Sequence, residues 1–403
     1  MHEVLKGIRV LEVASWGFVP SAGAALADWG ADVVKVEPAA GGDPMRGLQT
    51  SGLVPGGAMP TNFMFEFPNR GKRSIGIDIS QPEGLELLMQ LVENSDVFLT
   101  SYLPAVRTKL GIDVADVRAR NPKIIYARGS GYGPLGQDSG LPGYDAVSFW
   151  ARGGIGMAVS PAELERPLEQ RTPAFGDLIS GVTLAGGVAA AIAGRERGEA
   201  PATVDVSLQG VATWILQPLL AASALFGLER LPSGPRHSAP NPLVASFLTS
   251  DSRAIQLVFL QPDRYWAHFC ETVGRLDLRD DPRFVDAGVR AQNNRACGEA
   301  LDELFASKTL DEWRVVLKDL DAPWAPMQNL AEILTDSQAI ANGYVKQTVD
   351  GALTLVPAPV QFDETAPEMR RAPEHGQDTE VLLMEMGVEW EQIEKLKAAG
   401  VLN

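Results

Sequence analysis

Carboxylates, scattered cations and two glycine-rich stretches are the residues here whose types and spacing could do chemistry. Asp177 stands in Ala174-Phe-Gly-Asp-Leu-Ile-Ser-Gly181, ahead of an apolar stretch of small residues. An Asp at a helix start serves as a cap or first-turn residue. A carboxylate can also be a nucleophile, forming a covalent acyl intermediate, and Gly176 would leave the approach to Asp177 open. Asn69-Arg-Gly-Lys-Arg73 reads either as a solvated charge run or as a phosphate clamp, with Lys72 and Arg73 as charge-assisted donors. Lys109, in a predicted loop, is a further lone cation. Arg128-Gly-Ser-Gly-Tyr-Gly-Pro-Leu-Gly136 follows a predicted strand. It is either a plain turn or a loop whose backbone can approach a ligand. Tyr144, in Gly143-Tyr-Asp145, could hydrogen-bond a ligand or fill a pocket edge.

Several chemistries lack their signatures. The turn after the first predicted strand, Ala14-Ser-Trp-Gly-Phe-Val-Pro20, holds no G-x-G-x-x-G, which weighs against an ordinary dinucleotide enzyme. There is no Walker A motif, nucleophile elbow or H-E-x-x-H. The cysteines, Cys270 and Cys297, form no disulfide framework or metal spacing and read as core residues. His2, His237, His268 and His375 are too scattered for a metal site.

The elements that must position these groups alternate. Strands are predicted at Ile8 to Val13, Asp32 to Glu37, Arg73 to Ile79, Asp96 to Thr100, Lys123 to Gly129 and Ala202 to Leu208. Between them lie helices at Ser21 to Gly30, from a Ser80–Glu83 capping box to Glu93, and at Ile179 to Ala193, with another at Val211 to Phe226. Ala39 to Met59, rich in Gly and Pro, reads as loop. This is an α/β pattern with a parallel sheet. Prolines and glycines break the texture after Gly227, and a smaller α+β domain is expected at 228–325. There Thr309–Glu312 forms a capping box. The segment 326–403 ends in a short strand pair and two helices separated by Gly387.

With 403 residues, 45% of them hydrophobic, more than one core is expected. The net charge of −16 and the lack of a basic stripe or basic amphipathic face exclude nucleic-acid and peripheral-membrane partners. No apolar run is read as a membrane span, and the start lacks a secretory signal, so a cytoplasmic protein is expected. From Lys35 to Arg128 there are 11 Lys or Arg against 10 Asp or Glu. That local balance suits an anionic ligand.

Taken in order, the pieces resemble the family III coenzyme A transferases, which include formyl-CoA:oxalate and carnitine CoA transferases and α-methylacyl-CoA racemase. The matching stretches are ALADWGADVVKVEP (Ala25 to Pro38), GGDPMRG (Gly41 to Gly47), NRGKRSIGIDISQPEG (Asn69 to Gly84) and SDVFLTSYLP (Ser95 to Pro104). KLGI at Lys109, NPKIIYARGSGYGPLG, LPGYD, AFGDLISG and VDVSL continue the match. DDPRF, Asn293-Asn-Arg295 and APWAPMQN carry it into the last third.

The resemblance implies a Rossmann-like large domain built from 1–227 and 326–403, a small domain between, and an interlocked homodimer. It implies Asp177 as the nucleophile in CoA transfer from an acyl-CoA to a carboxylic acid, through an aspartyl mixed anhydride and an aspartyl-CoA thioester. CoA thioester is then a substrate, with no resident cofactor and no metal. Trp16 and Tyr132 would line the pantetheine or acyl channel, and Lys72, Arg73 and Lys109 would hold CoA phosphates. Tyr144, in place of the racemases' His, argues against the alternative of a 2-methylacyl-CoA racemase. Asp177 argues against a non-catalytic acyl-CoA-binding protein. Gly17 stands where formyl-CoA transferase has Gln, and the region Ser238 to Pro242 lacks that enzyme's glycine run. Both departures point away from oxalate or formate.

Overall fold

The computed structural model of the chain describes residues 3–48, 61–230 and 234–403. His2 and the second half of the predicted 39–59 loop lie outside them. The chain divides into two compact units, Met1–Leu231 with Ser337–Asn403, and Pro232–Asp336.

The first unit is built on six parallel strands: β1 (Arg9–Val13), β2 (Asp32–Glu37), β3 (Arg73–Gly76), β4 (Val97–Thr100), β5 (Ile125–Ser130) and β6 (Thr203–Ser207). They lie in the order β3-β2-β1-β4-β5-β6. The chain runs outward from β1 in one direction and from β4 in the other, so the switch point of this doubly wound sheet lies between β1 and β4. The connecting helices are α1 (Phe18–Asp28), α2 (Phe63–Asn69), α3 (Pro82–Glu93), α4 (Pro104–Leu110), α5 (Val114–Arg120), α6 (Ile155–Val159) and α7 (Phe175–Glu196). α8 (Leu208–Ile215) and α9 (Gln217–Phe226) follow β6.

Alternate strand residues serve two cores. Val10, Val33, Leu99 and Ala127 pack toward α1 and α7, and Leu11, Val34, Phe98 and Tyr126 toward α3 and the chain end. There Leu382, Leu383, Ile393 and Leu396 cover the sheet, while Asp378 accepts the Ser74 N–H at 2.9 Å. Small residues let α1 and α7 lie close: a Cβ on Gly181 would stand 2.6 Å from Cβ of Ser21.

Three details differ from the sequence reading. Ser80 does not cap α3. Its hydroxyl donates to Asp78 at 2.6 Å, and Gln81 holds the cap position before Pro82. α7 has the length and apolarity of a membrane span, contrary to that reading, but Leu184, Ala185, Val188 and Ile192 sit in the sheet's core. The single helix expected over 211–226 is two, bent by 67° at Leu216 ahead of Pro218.

The second unit is an antiparallel sheet of β7 (Val244–Leu248), β8 (Ala254–Val258) and β9 (Trp324–Pro326), with helices around a core of Phe247, Phe269, Phe305 and Trp313. Thr309 and Glu312 form their capping box. Cys270 and Cys297 are buried in this core, where desolvation pushes both thiols up to about 12. Residues 326–336, assigned above to the returning segment, stay with this unit. Pro326 belongs to β9, and Glu332 pairs with Arg253 at 2.6 Å and Arg314 at 3.3 Å.

Candidate active site

A cavity of about 430 Å³ opens at the carboxyl ends of β1, β4 and β5, at the sheet's switch point. Ser15 to Phe18 after β1, Ser101 to Leu103 after β4 and Gly129 to Gly131 around the end of β5 form its walls, with Asp177 between them. Open α/β sheets bind ligands at this place.

Asp177 lies in the first turn of α7. The cap position belongs to Ala174, whose left-handed φ of 56° offers no capping side chain. A remote carboxylate does the capping: the Gly176 N–H donates to Asp145 Oδ1 at 3.1 Å and Oδ2 at 3.0 Å, and Gln170 Nε2 donates to Oδ2 at 2.8 Å. Asp177 is thereby released from capping, and no hydrogen bond to its carboxylate is found among the described residues. Burial, reinforced by the charge of Asp145, pushes its carboxyl up to about 7. An Asp so placed is a functional-site candidate on physical grounds.

Gly176 does not play the part expected of it. Gly176 faces inward, where a Cβ would meet Phe149 Cγ at 2.3 Å and Asp145 Oδ1 at 2.5 Å. It serves packing, and the approach to Asp177 is kept open instead by Gly17. A Cβ there would stand 2.4 Å from Asp177 Oδ2. Two glycines of the 129–136 stretch, Gly129 and Gly131, are likewise packed against protein, whereas a Cβ on Gly136 would meet nothing within 4 Å. A Cβ on Gly129 would meet Val19 at 2.4 Å, and one on Gly131 would lie 3.0 Å from Gly143 Cα.

Of the other residues singled out, Trp16 and Tyr144 line the cavity, their rings edge to face with centroids 5.6 Å apart. Tyr132 does not line it. Its ring lies under the Arg152 guanidinium at 4.8 Å. Lys109 is on α4 rather than in a loop, exposed, one turn beyond the cavity residue Val106.

The phosphate clamp is not present. The Lys72 side chain is fully buried, donating to Glu12 at 2.7 and 2.8 Å, Pro20 O at 2.9 Å and Asn69 Oδ1 at 3.0 Å. Arg73 pairs with Asp32 at 2.6 Å and Glu385 at 2.9 Å, at the amino ends of the strands, away from the cavity. With their donors engaged by protein acceptors, neither is offered to a ligand.

The buried network around Lys72 was not foreseen. Glu12 also accepts from Lys35 at 3.2 Å, and Lys35 pairs with Asp43 at 2.8 Å. Asp43 in turn accepts the N–H groups of Met45 at 2.9 Å and Trp16 at 3.4 Å. That last bond ties the β1–α1 turn, where Trp16 holds φ of 71°, to the core. The GGDPMRG stretch that supplies Asp43 was the available signal. Among the described residues no three His, Cys, Asp or Glu side chains are grouped to hold a metal.

Comparison with known proteins identifies relatives of the whole chain. The profile described as CoA-transferase family III matches residues 5–379. An (R)-2-hydroxy-4-methylpentanoate CoA-transferase of Clostridioides difficile is 31% identical, over 99% of this chain and 100% of its own length. A cinnamoyl-CoA:phenyllactate CoA-transferase of Clostridium sporogenes is 29% identical, over 98% and 96%. Among solved structures, Rv3272 of Mycobacterium tuberculosis superposes with a TM-score of 0.78 at 29% identity, over 94% of this chain and 98% of its own. A CAIB/BAIF family protein of Brucella suis gives 0.80 at 26%, over 96% and 100%.

Proposed function

The chain belongs to CoA-transferase family III, and from that premise we propose that it moves coenzyme A between carboxylic acids through Asp177. The observation that carries the reading is a carboxylate with no hydrogen bond among the described residues, pushed up to about 7, on the wall of a cavity at the sheet's switch point.

In the proposed cycle the deprotonated Asp177 Oδ attacks the thioester carbonyl. The C–S bond breaks, CoA leaves as thiolate, and a mixed anhydride joins Asp177 to the acyl group. The thiolate then attacks Asp177 Cγ, expelling the donor carboxylate and leaving an aspartyl-CoA thioester. An acceptor carboxylate attacks the same carbon, re-forms an anhydride and releases thiolate. Thiolate attack on the acceptor carbonyl gives the new acyl-CoA and returns the Asp177 carboxylate. Each intermediate stays activated, so the thioester energy is not lost to water. An ester on Ser would not serve, being a poorer acyl donor to a thiolate. Helix α1 starts beside Asp177, and its N-terminal amides suit the oxyanions of these steps.

Trp16 and Tyr144 would border the acyl group, with Lys109 outside toward a CoA phosphate. The relatives named for 2-hydroxy-4-methylpentanoate and phenyllactate make monocarboxylic acids the first acceptors to try. The interlocked homodimer is also part of the proposal. Trp214, Leu225 and Phe226 on α8 and α9 are 74%, 76% and 73% exposed, which suits coverage by a second copy. Sedimentation should give twice the 43.2 kDa chain mass, and an active monomer would exclude that assembly. Two buried free thiols fit a reducing cytoplasm.

The test of the activity is a matrix of acyl-CoAs and acids. Transfer that requires the acceptor supports the reading. Exchange of the α-proton with no acceptor present would instead favour the racemase alternative, and neither reaction would leave a binding protein.

A further inference from the structure

We propose that the acyl cavity selects apolar acyl groups of monocarboxylic acids and rejects acyl groups that carry a second carboxylate. This rests on the CoA-transfer reading and concerns the same site. Among the described residues lining the cavity the only charged group is Asp177, an anion itself. No described Lys, Arg or His is part of the wall. Trp16, Phe18, Leu103, Val106 and Leu208 supply much of it, with prolines from the adjoining turns.

Lys109, exposed on α4, lies outside the wall, and three other cations near the cavity are paired within the protein. Lys35 lies behind the β1 turn, bonded to Glu12, Asp43 and the Ala14 carbonyl at 2.8 Å. Arg128 is paired with Asp205, and Arg152 with Asp138 at 2.6 Å. A second carboxylate drawn into this space would be desolvated without a counter-charge, beside the Asp177 anion that must attack. Such burial is strongly unfavourable unless the charge is paired. An apolar chain instead gains by leaving water for this wall. Gly17 extends the effect, because its missing side chain leaves the acyl carbon room beside Asp177 without adding a polar group.

The test is isotope exchange between each acyl-CoA and its own labelled free acid, so that donor and acceptor are of one class and no driving force differs. 4-Methylpentanoyl-CoA and 3-phenylpropanoyl-CoA are compared with succinyl-CoA and glutaryl-CoA. The apolar pairs should exchange at least about 100-fold faster in kcat/KM, as expected for an unpaired buried charge. Equal or faster exchange of the dicarboxylic pairs would overturn this inference and leave CoA transfer standing. No exchange with any pair would overturn CoA transfer and the inference with it. Val106→Arg, at a 40% exposed position of the wall, should raise succinyl exchange relative to 4-methylpentanoyl exchange by about tenfold or more. An unchanged ratio would show that missing counter-charge does not set the preference.

Discussion

A Cβ on Gly17 would stand 2.4 Å from Oδ2 of Asp177, so the first turn after β1 and the first turn of α7 meet with no room for one more carbon. The backbone of Gly17 is right-handed helical, with φ of −89°, and alanine can adopt it without strain. Gly17→Ala should therefore keep the fold and displace the carboxylate. We expect kcat/KM to fall by about 100-fold or more, the usual order for an ångström of misplacement. Circular dichroism and melting should stay near wild type. Full turnover in a folded Gly17→Ala enzyme would mean that the position of this carboxylate does not matter.

Asp177 should cost stability. Its folded pKa of about 7 lies above the ordinary carboxylate value, so the native state holds a proton that the unfolded chain has lost between roughly pH 4 and 7. Native stability falls across that window as pH rises. Asp177→Asn escapes the penalty and should be more stable than wild type at pH 8, by about 1–3 kcal/mol, with the advantage gone near pH 4. Denaturant titrations at the two pH values read this directly. A first-turn Asp that merely favours the helix N-terminus would lose stability on the same change.

The pH profile carries a second sign. The proposed nucleophile must be deprotonated to attack, so kcat/KM for the acyl-CoA should rise through about pH 7 with the free enzyme's Asp177. Burial is the main cause of that raised pKa and the charge of Asp145 adds to it, so we expect Asp145, which caps α7, to act as a positioning residue. Asp145→Asn keeps an acceptor for the Gly176 N–H and removes that charge. The acid limb should move to lower pH. A simple loss of activity with an unmoved limb would assign Asp145 to packing alone.

Lys72 and Arg73 should separate from CoA recognition. Lys72→Met leaves Glu12 buried with only Lys35 and should cost about 3–5 kcal/mol of stability. Arg73→Ala removes two partly exposed pairs, with Asp32 and Glu385, away from the cavity and should leave the KM for acyl-CoA unchanged at low and high salt. Weaker acyl-CoA binding in Arg73→Ala that recovers with no change of stability would restore the clamp.

The parallel sheet was legible because buried strands such as Val33 to Val36 and Val97 to Leu99 are near-continuous apolar runs, separated by helical periodicity. Asp177 was legible as a candidate through the resemblance and through its place ahead of a small-residue helix. Its release from capping was not, because the cap comes from Asp145, a contact made only when the chain folds. Lys72 misled for a similar reason. A lysine in a Gly-containing loop looks solvent-facing until a strand partner, Glu12, is brought to it from 60 residues away. The role of Gly17 also depends on tertiary approach, since a glycine whose φ is ordinary announces nothing by itself.

Acylation of Asp177 can be read by peptide mapping after single turnover. Wild-type protein is mixed with excess acyl-CoA and no acceptor acid, quenched with hydroxylamine or borohydride, digested and weighed. A hydroxamate, or the reduced alcohol, should appear on the peptide that carries Asp177, and none in Asp177→Asn. An unmodified Asp177 peptide during active turnover, or a label on another residue, would contradict it.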